Sequence, residues 1–230
     1  MCGRFTLTST PEELARRFGL DESVEWSPRY NIAPGQSVPA VRLDVGRRQL
    51  SSLRWGLVPA WAADPSVGFR MINARVETLA QRPAFREALQ ARRCLVAADG
   101  FYEWADLGGA KQPYHIGLPE GGPFAFAGLW ERWQDPNGEA LESCTLITTE
   151  AAPALCEIHA RMPLIVSPQR YEDWLDPGRA PAQDLLVRLV AEAPTDFALH
   201  PVSDRVNHAR IDDAACLTPA APEPRQESLF

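Results

Sequence analysis

The sequence predicts an α+β fold in a single domain, and three observations carry that expectation. Short strand-like runs and helical segments interleave irregularly, without the spacing of a βαβ crossover. No internal repeat is present. The 230 residues, 45% hydrophobic and 23% charged, are ample for one proper core in an ordinary globular protein.

Taken in order, Ser9-Thr10-Pro11-Glu12-Glu13 starts the first helix. Thr10 caps it, Pro11 fits the first turn, Glu13 completes a capping box, and Gly19 ends it, with Leu14 and Phe18 on one face. Residues 38–43 and 49–55 read as a strand pair around Gly46. Trp55 to Trp61 fits no clean period and reads as an ordered loop, with Trp55 in the core and Trp61 projecting as a stacking platform. A helical stretch follows at 83–89, then a buried strand at 93–98. Short strands are expected at 114–118, 124–129 and 144–148, and a short helix at 151–158 running into His159. Ser167-Pro168 opens another helix that ends near Asp176-Pro177-Gly178, residues 181–190 form the last, and 199–203 a final strand or turn. The domain is expected over 1–216. Residues 217–230 read as a disordered, Pro/Ala-rich tail.

Composition narrows the function. A net charge of −7 argues against a protein that coats nucleic acid non-specifically. All but one of the 23 basic residues are arginines, the exception being Lys111, and arginine grips phosphate in a fork and stacks on bases. Five cysteines without framework spacing point to reduced thiols in the cytoplasm, and there is no signal peptide or apolar span. Cys94, Cys144, Cys156 and Cys216 read as structural thiols. No Cys-x-x-Cys or His-x-x-x-His pair occurs, so neither a metal nor another cofactor is expected.

The chemistry gathers at the first four residues, Met1-Cys2-Gly3-Arg4. Removal of Met1 gives Cys2 a free α-amine and a thiol two carbons apart. An aldehyde forms an imine with the amine and then closes onto the thiol as a thiazolidine, the second step gaining from proximity. The α-amine titrates near ~7.7–8.0, which suits neutral pH. By itself, Cys2 reads first as an incidental residue beside a start codon, and the rest of the chain has to argue otherwise. Glu103 is unusual in a different way, as a carboxylate among Phe101, Tyr102 and Trp104. On a strand it shares a face with Phe101, and desolvation there would raise its pKa into the range useful for proton transfer.

Seven segments in order resemble the SOS-response-associated peptidase (SRAP) family, regarded as abasic-site crosslinking proteins. They are Cys2-Gly3-Arg4-Phe5, Tyr30-Asn31-Ile32-Ala33-Pro34, Trp55-Gly56-Leu57, Ile72-Asn73-Ala74-Arg75-Val76-Glu77, Asp99-Gly100-Phe101-Tyr102-Glu103-Trp104, Ile158-His159-Ala160-Arg161-Met162-Pro163 and His200-Pro201-Val202-Ser203. The resemblance implies a curved, partly barrel-like mixed sheet flanked by short helices. It implies as substrate the ring-opened aldehyde of an abasic deoxyribose in single-stranded DNA, with Cys2 as nucleophile in a covalent thiazolidine crosslink and lyase cleavage as a side activity. Asn73 would position Cys2 and the sugar, Glu103 would shuttle protons, and His159 would hydrogen-bond the sugar. Arg4, Arg75 and Arg161 match residues that hold phosphates, while Pro34 and Trp61 match residues that support neighbouring bases. Some relatives carry two adjacent aromatics where this chain has Trp61-Ala62.

Two other functions share the Cys2 chemistry or the DNA: an N-terminal-nucleophile peptidase or amidohydrolase that removes Met1 itself, and a non-catalytic single-stranded DNA adaptor. The last five residues, Gln226-Glu227-Ser228-Leu229-Phe230, resemble the bacterial sliding-clamp-binding motif, with Glu227 in place of the usual Leu. Gln226, Leu229 and Phe230 would be the contacts, on a flexible tether. The expected partners are therefore abasic single-stranded DNA and a clamp, with no membrane, for a monomeric protein.

Overall fold

Where the apolar runs are longest, the strands close on themselves. The chain is seen in a computed structural model that describes residues 2–20 and 25–220. Its elements are β1 (Phe5–Leu7), α1 (Pro11–Phe18), β2 (Arg29–Ile32), β3 (Ser37–Asp44), β4 (Arg47–Trp55), β5 (Asn73–Arg75) and α2 (Pro83–Ala91). These lead into β6 (Arg93–Ala98), β7 (Gly100–Asp106), β8 (Lys111–Gly117), β9 (Phe124–Gln134) and β10 (Ala140–Glu150). The chain ends with β11 (Arg161–Pro163), β12 (Ile165–Val166), α3 (Tyr171–Leu175), α4 (Ala182–Ala191) and β13 (Ala198–Pro201).

Five strands form a ring. β10 pairs with β4, β4 with β3, β3 with β6, β6 with β9, and β9 returns to β10. The β10–β4 and β10–β5 pairs are parallel and the rest of this sheet is antiparallel, so the sheet is mixed. A second, all-antiparallel sheet runs β13-β8-β7-β1-β2. The α+β fold with a barrel-like sheet is the one expected.

The apolar run of β6 is buried at every position, as a strand inside a ring should be. The second sheet is locked on by Phe5, whose ring meets Trp55 edge-on at 5.2 Å and Phe126 at 5.7 Å between centroids. Each such aromatic contributes about 1.5–3 kcal/mol on burial, so this joint alone is worth several. At the periphery, α1 forms with the expected box: Glu13 N donates to Thr10 Oγ1 at 3.3 Å and Thr10 N to the Glu13 carboxylate at 2.8 Å. Leu14 and Phe18 are buried, and Gly19 closes the helix in the left-handed conformation.

Three details depart from the sequence reading. Residues 151–158 are not an α-helix but a single 3-10 turn, Pro153–Leu155, within a loop closed by Ala151 N donating to Ala160 O. The β10–β11 pairing on either side fixes the ends of the segment close together and holds it as a tight connecting loop. β9 and β10 run well past their apolar cores, because the Asp135 carboxylate accepts the N–H groups of Asn137 and Glu139 and closes a turn between them. Cys156 is exposed, whereas the other four cysteines are buried. Residues 217–220 lie against the body: Ser203 N donates to Thr218 O and Ala220 N to Pro201 O. No helix among the described residues is long and apolar enough to cross a membrane.

Candidate active site

β1 and β7 bring the start of the chain to Glu103. Phe5 pairs with Phe101 and Thr6 with Gly100, and Tyr102 N donates to Arg4 O at 3.0 Å, which extends the pairing towards Cys2. Cys2 is fully buried, with Sγ donating to Arg4 O at 3.5 Å. A second strand arrives from the ring. Asn73 opens β5, opposite Leu146 of β10, and its Nδ2 donates to Cys2 O at 2.7 Å. Asn73 Oδ1 is buried without a hydrogen-bond partner among the described residues, so the site holds an acceptor that can take a donor.

Glu103 lies on the inner face of β7 with Phe101, while Tyr102 packs on the outer face against Val202 and Val206. Only 4% of Glu103 is exposed, and its Oε1 lies 3.9 Å from His159 Nδ1. Burial pushes the Glu103 carboxyl above its usual range, with His159 pulling the other way. Burial and then the Glu103 charge push the Cys2 thiol far above its ordinary value. The thiol is therefore protonated at rest, and a neighbouring carboxyl stands ready to take up its proton. His159 is half-buried on the loop after β10, and its Nδ1 lies 3.0 Å from both the backbone N and the backbone O of Arg161, which fix the ring's orientation. Cys2, Asn73, Glu103 and His159, far apart in sequence, thus meet in one place.

The profile of the SOS response associated peptidase family, SRAP, matches residues 1–209. The chain belongs to the SRAP family. Abasic site processing protein YoqW of Bacillus subtilis (strain 168) is 41% identical over 90% of this chain and 94% of its own length. Abasic site processing protein HMCES of Gallus gallus is 34% identical over 95% of this chain and 78% of its own. A crystal structure of a protein from Bacteroides thetaiotaomicron superposes with a TM-score of 0.83 at 25% identity, covering 96% of this chain and all of that one.

Around this SRAP site the expected DNA-contacting side chains are placed unequally. Arg75 is exposed at the end of β5. Trp61 is 66% exposed, on a loop held by Trp133 Nε1 donating to Ala62 O at 2.7 Å. Pro34 is half-buried in the turn after β2. Arg4 turns inward: its Nη1 donates to Val206 O at 2.5 Å and to Asn31 Oδ1 at 2.9 Å, so it ties the Cys2 segment to the C-terminal residues. Arg161 is engaged by Glu77 and Thr148. Gln226, Leu229 and Phe230 lie outside the described residues.

Sequence reasoning missed Phe69 and Asn31. Phe69 is 58% exposed, lies against Gly35 beside Pro34, and has the Arg54 guanidinium 5.0 Å from its ring centre. Its loop is fixed where Gly56 and Gly68 touch backbone to backbone: a Cβ on Gly68 would sit 2.5 Å from Gly56 O. The only sequence signal was an isolated aromatic between Gly68 and Arg70 in a polar stretch. Asn31 is buried, and its Nδ2 donates to Ile211 O at 2.7 Å, His208 O at 3.1 Å and Val206 O at 3.3 Å. Nothing in the Tyr-Asn-Ile-Ala-Pro segment itself announces partners so distant in the chain.

Proposed function

We propose that this protein captures abasic sites in single-stranded DNA as a covalent thiazolidine on Cys2. One observation carries the reading: a buried thiol, the Asn73 amide, a carboxyl with raised affinity for protons and an imidazole converge on the second residue of the chain. With Met1 removed, the α-amine of Cys2 attacks C1′ of the open-chain sugar. Glu103 delivers the proton that lets the carbinol hydroxyl leave as water, giving an imine. The Cys2 thiol then adds to that imine carbon, passing its proton to the Glu103 carboxylate, and the imine nitrogen is protonated to an amine. His159 and Asn73 Oδ1 hold the sugar hydroxyls, which favours the open aldehyde. β-Elimination from the imine gives the lyase side reaction. Arg75 and Arg161 take flanking phosphates, Arg4 instead holds the Cys2 segment in place, and Trp61, Phe69 and Pro34 support the neighbouring bases, at about 1–3 kcal/mol per stacked base.

The protonated thiol favours this reading over a cysteine peptidase. A peptidase needs the thiolate as its first nucleophile, and burial beside a carboxyl opposes thiolate formation. In the imine-first route the amine attacks first, and the thiol is deprotonated only as the ring closes. The assay is incubation with single-stranded DNA carrying one abasic site, followed by denaturing electrophoresis. Wild-type protein should give a denaturation-resistant adduct and Cys2→Ala none; an equal yield from both rules out the mechanism. For the tail, Gln226, Leu229 and Phe230 would tether the protein to a sliding clamp and raise its concentration at forks. Clamp binding that survives deletion of residues 226–230 would dispose of that part.

A further inference from the structure

Arg161 begins β11, two residues after His159, and reaches across β10 to Glu77, which follows β5. Nη1 donates to Glu77 Oε1 at 2.6 Å and Nη2 to Oε2 at 3.1 Å, while Nη2 also donates to Thr148 O at 2.7 Å. That is the two-pronged geometry in which a guanidinium takes a phosphodiester. The pair is layered. The arginine side chain is 15% exposed and the carboxylate 45%, so Glu77 lies outermost, beside the exposed Arg75. Hydrogen bonds from Arg161 hold the Glu77 carboxyl below its usual range.

The fold has little need of this contact. Backbone pairs Thr148–Arg75 and Glu150–Arg161, with Val76 N donating to Thr148 O, already hold both strands to β10. An ion pair at the surface adds little stability. Yet it joins a guanidinium two residues from His159 to a carboxylate four residues from Asn73.

We propose that Glu77 is a stand-in for a DNA phosphate: it occupies the fork of Arg161 in the free protein, and a strand engages Arg161 only by displacing it. This rests on the reading that Arg161 contacts the DNA backbone. Displacement returns the carboxylate to water and leaves the chemistry at Cys2 untouched. Its effect is to weaken the hold on every strand equally. An intact strand then leaves quickly, whereas a strand with an abasic site is retained because the covalent step at Cys2 follows. Glu77 thereby sets the discrimination between damaged and intact DNA.

The test uses the full-length protein and a fluorescent single strand without any abasic site, measured by anisotropy. Glu77→Gln keeps the shape and removes the charge. It should bind the intact strand about tenfold more tightly at low salt. Its single-turnover crosslinking rate at saturating abasic DNA should equal that of wild type. In an Arg161→Gln background the same substitution should give no gain. If Arg161→Gln weakens binding but Glu77→Gln binds no tighter than wild type, Glu77 merely steadies the arginine, and the proposal falls while the role of Arg161 stands. If Arg161→Gln binds as tightly as wild type, the underlying reading fails and takes the proposal with it.

Discussion

Replacing Asn31 by Ala should loosen the seam between the start and the end of the domain. The two N–H groups of the side chain are shared among three backbone carbonyls, and its Oδ1 accepts Arg4 Nη1 at 2.9 Å. Not all of these are lost at full cost. His208 O keeps the Ile211 N–H, and Val206 O keeps Arg4 Nη1. Among the described residues Ile211 O retains only a thiol, Cys216 Sγ at 3.7 Å, and the Arg4 contact is charge-assisted. Taking ~1 kcal/mol for each neutral bond and ~1.5 for the charged one, with the retained partners offsetting part, leaves about 3 kcal/mol. For a domain of this size that lowers the melting temperature by roughly 6–12 °C. Calorimetry reads the total, and hydrogen exchange locates it, since amides of residues 206–212 should lose protection first. A fall of less than about 2 °C, with exchange unchanged in that segment, would show that Asp212, which accepts Tyr30 N and Asn31 N, holds the seam alone.

Two further outcomes follow from buried titratable groups. Glu103→Gln should slow single-turnover crosslinking by about 10²–10⁴-fold while anisotropy shows DNA affinity unchanged; a normal rate would remove the carboxyl from proton transfer. His115 is held neutral by burial, with His200 adding to the effect, and its pKa falls from 6.5 to about 4. The unfolded chain therefore takes a proton that the folded chain refuses, so the contribution is whole above pH 6.5 and is lost as pH falls towards 4, by about 3 kcal/mol. Urea denaturation at pH 7, 5.5 and 4 should show His115→Gln losing less stability over that range than wild type; parallel losses would place the acid sensitivity elsewhere.

Much of this architecture was legible from local chemistry. Helix α1 was readable because its cap, proline and terminal glycine act within their own neighbourhood. β6 was readable because a strand buried on both faces leaves an unbroken apolar run. The site residues came from the resemblance; composition alone would have left Cys2 beside a start codon and Glu103 as an odd carboxylate. What stayed hidden depends on partners far along the chain. The inward turn of Arg4 is decided by Val206 and Asn31, and the loop at 151–160 by strands on either side of it. Phe69 is exposed because Gly56 and Gly68 fix its loop, a contact that no periodicity reports.

The closure of the ring through β10 has a consequence for synthesis. Cys2 is made before Asn73, Glu103 and His159, and the carbonyls that hold Arg4 arrive only at Val206 and Asn207. At about 5–20 residues per second, some ten to forty seconds pass before the pocket is whole. For that interval Cys2, fully buried in the finished fold, stands without the residues that bury it.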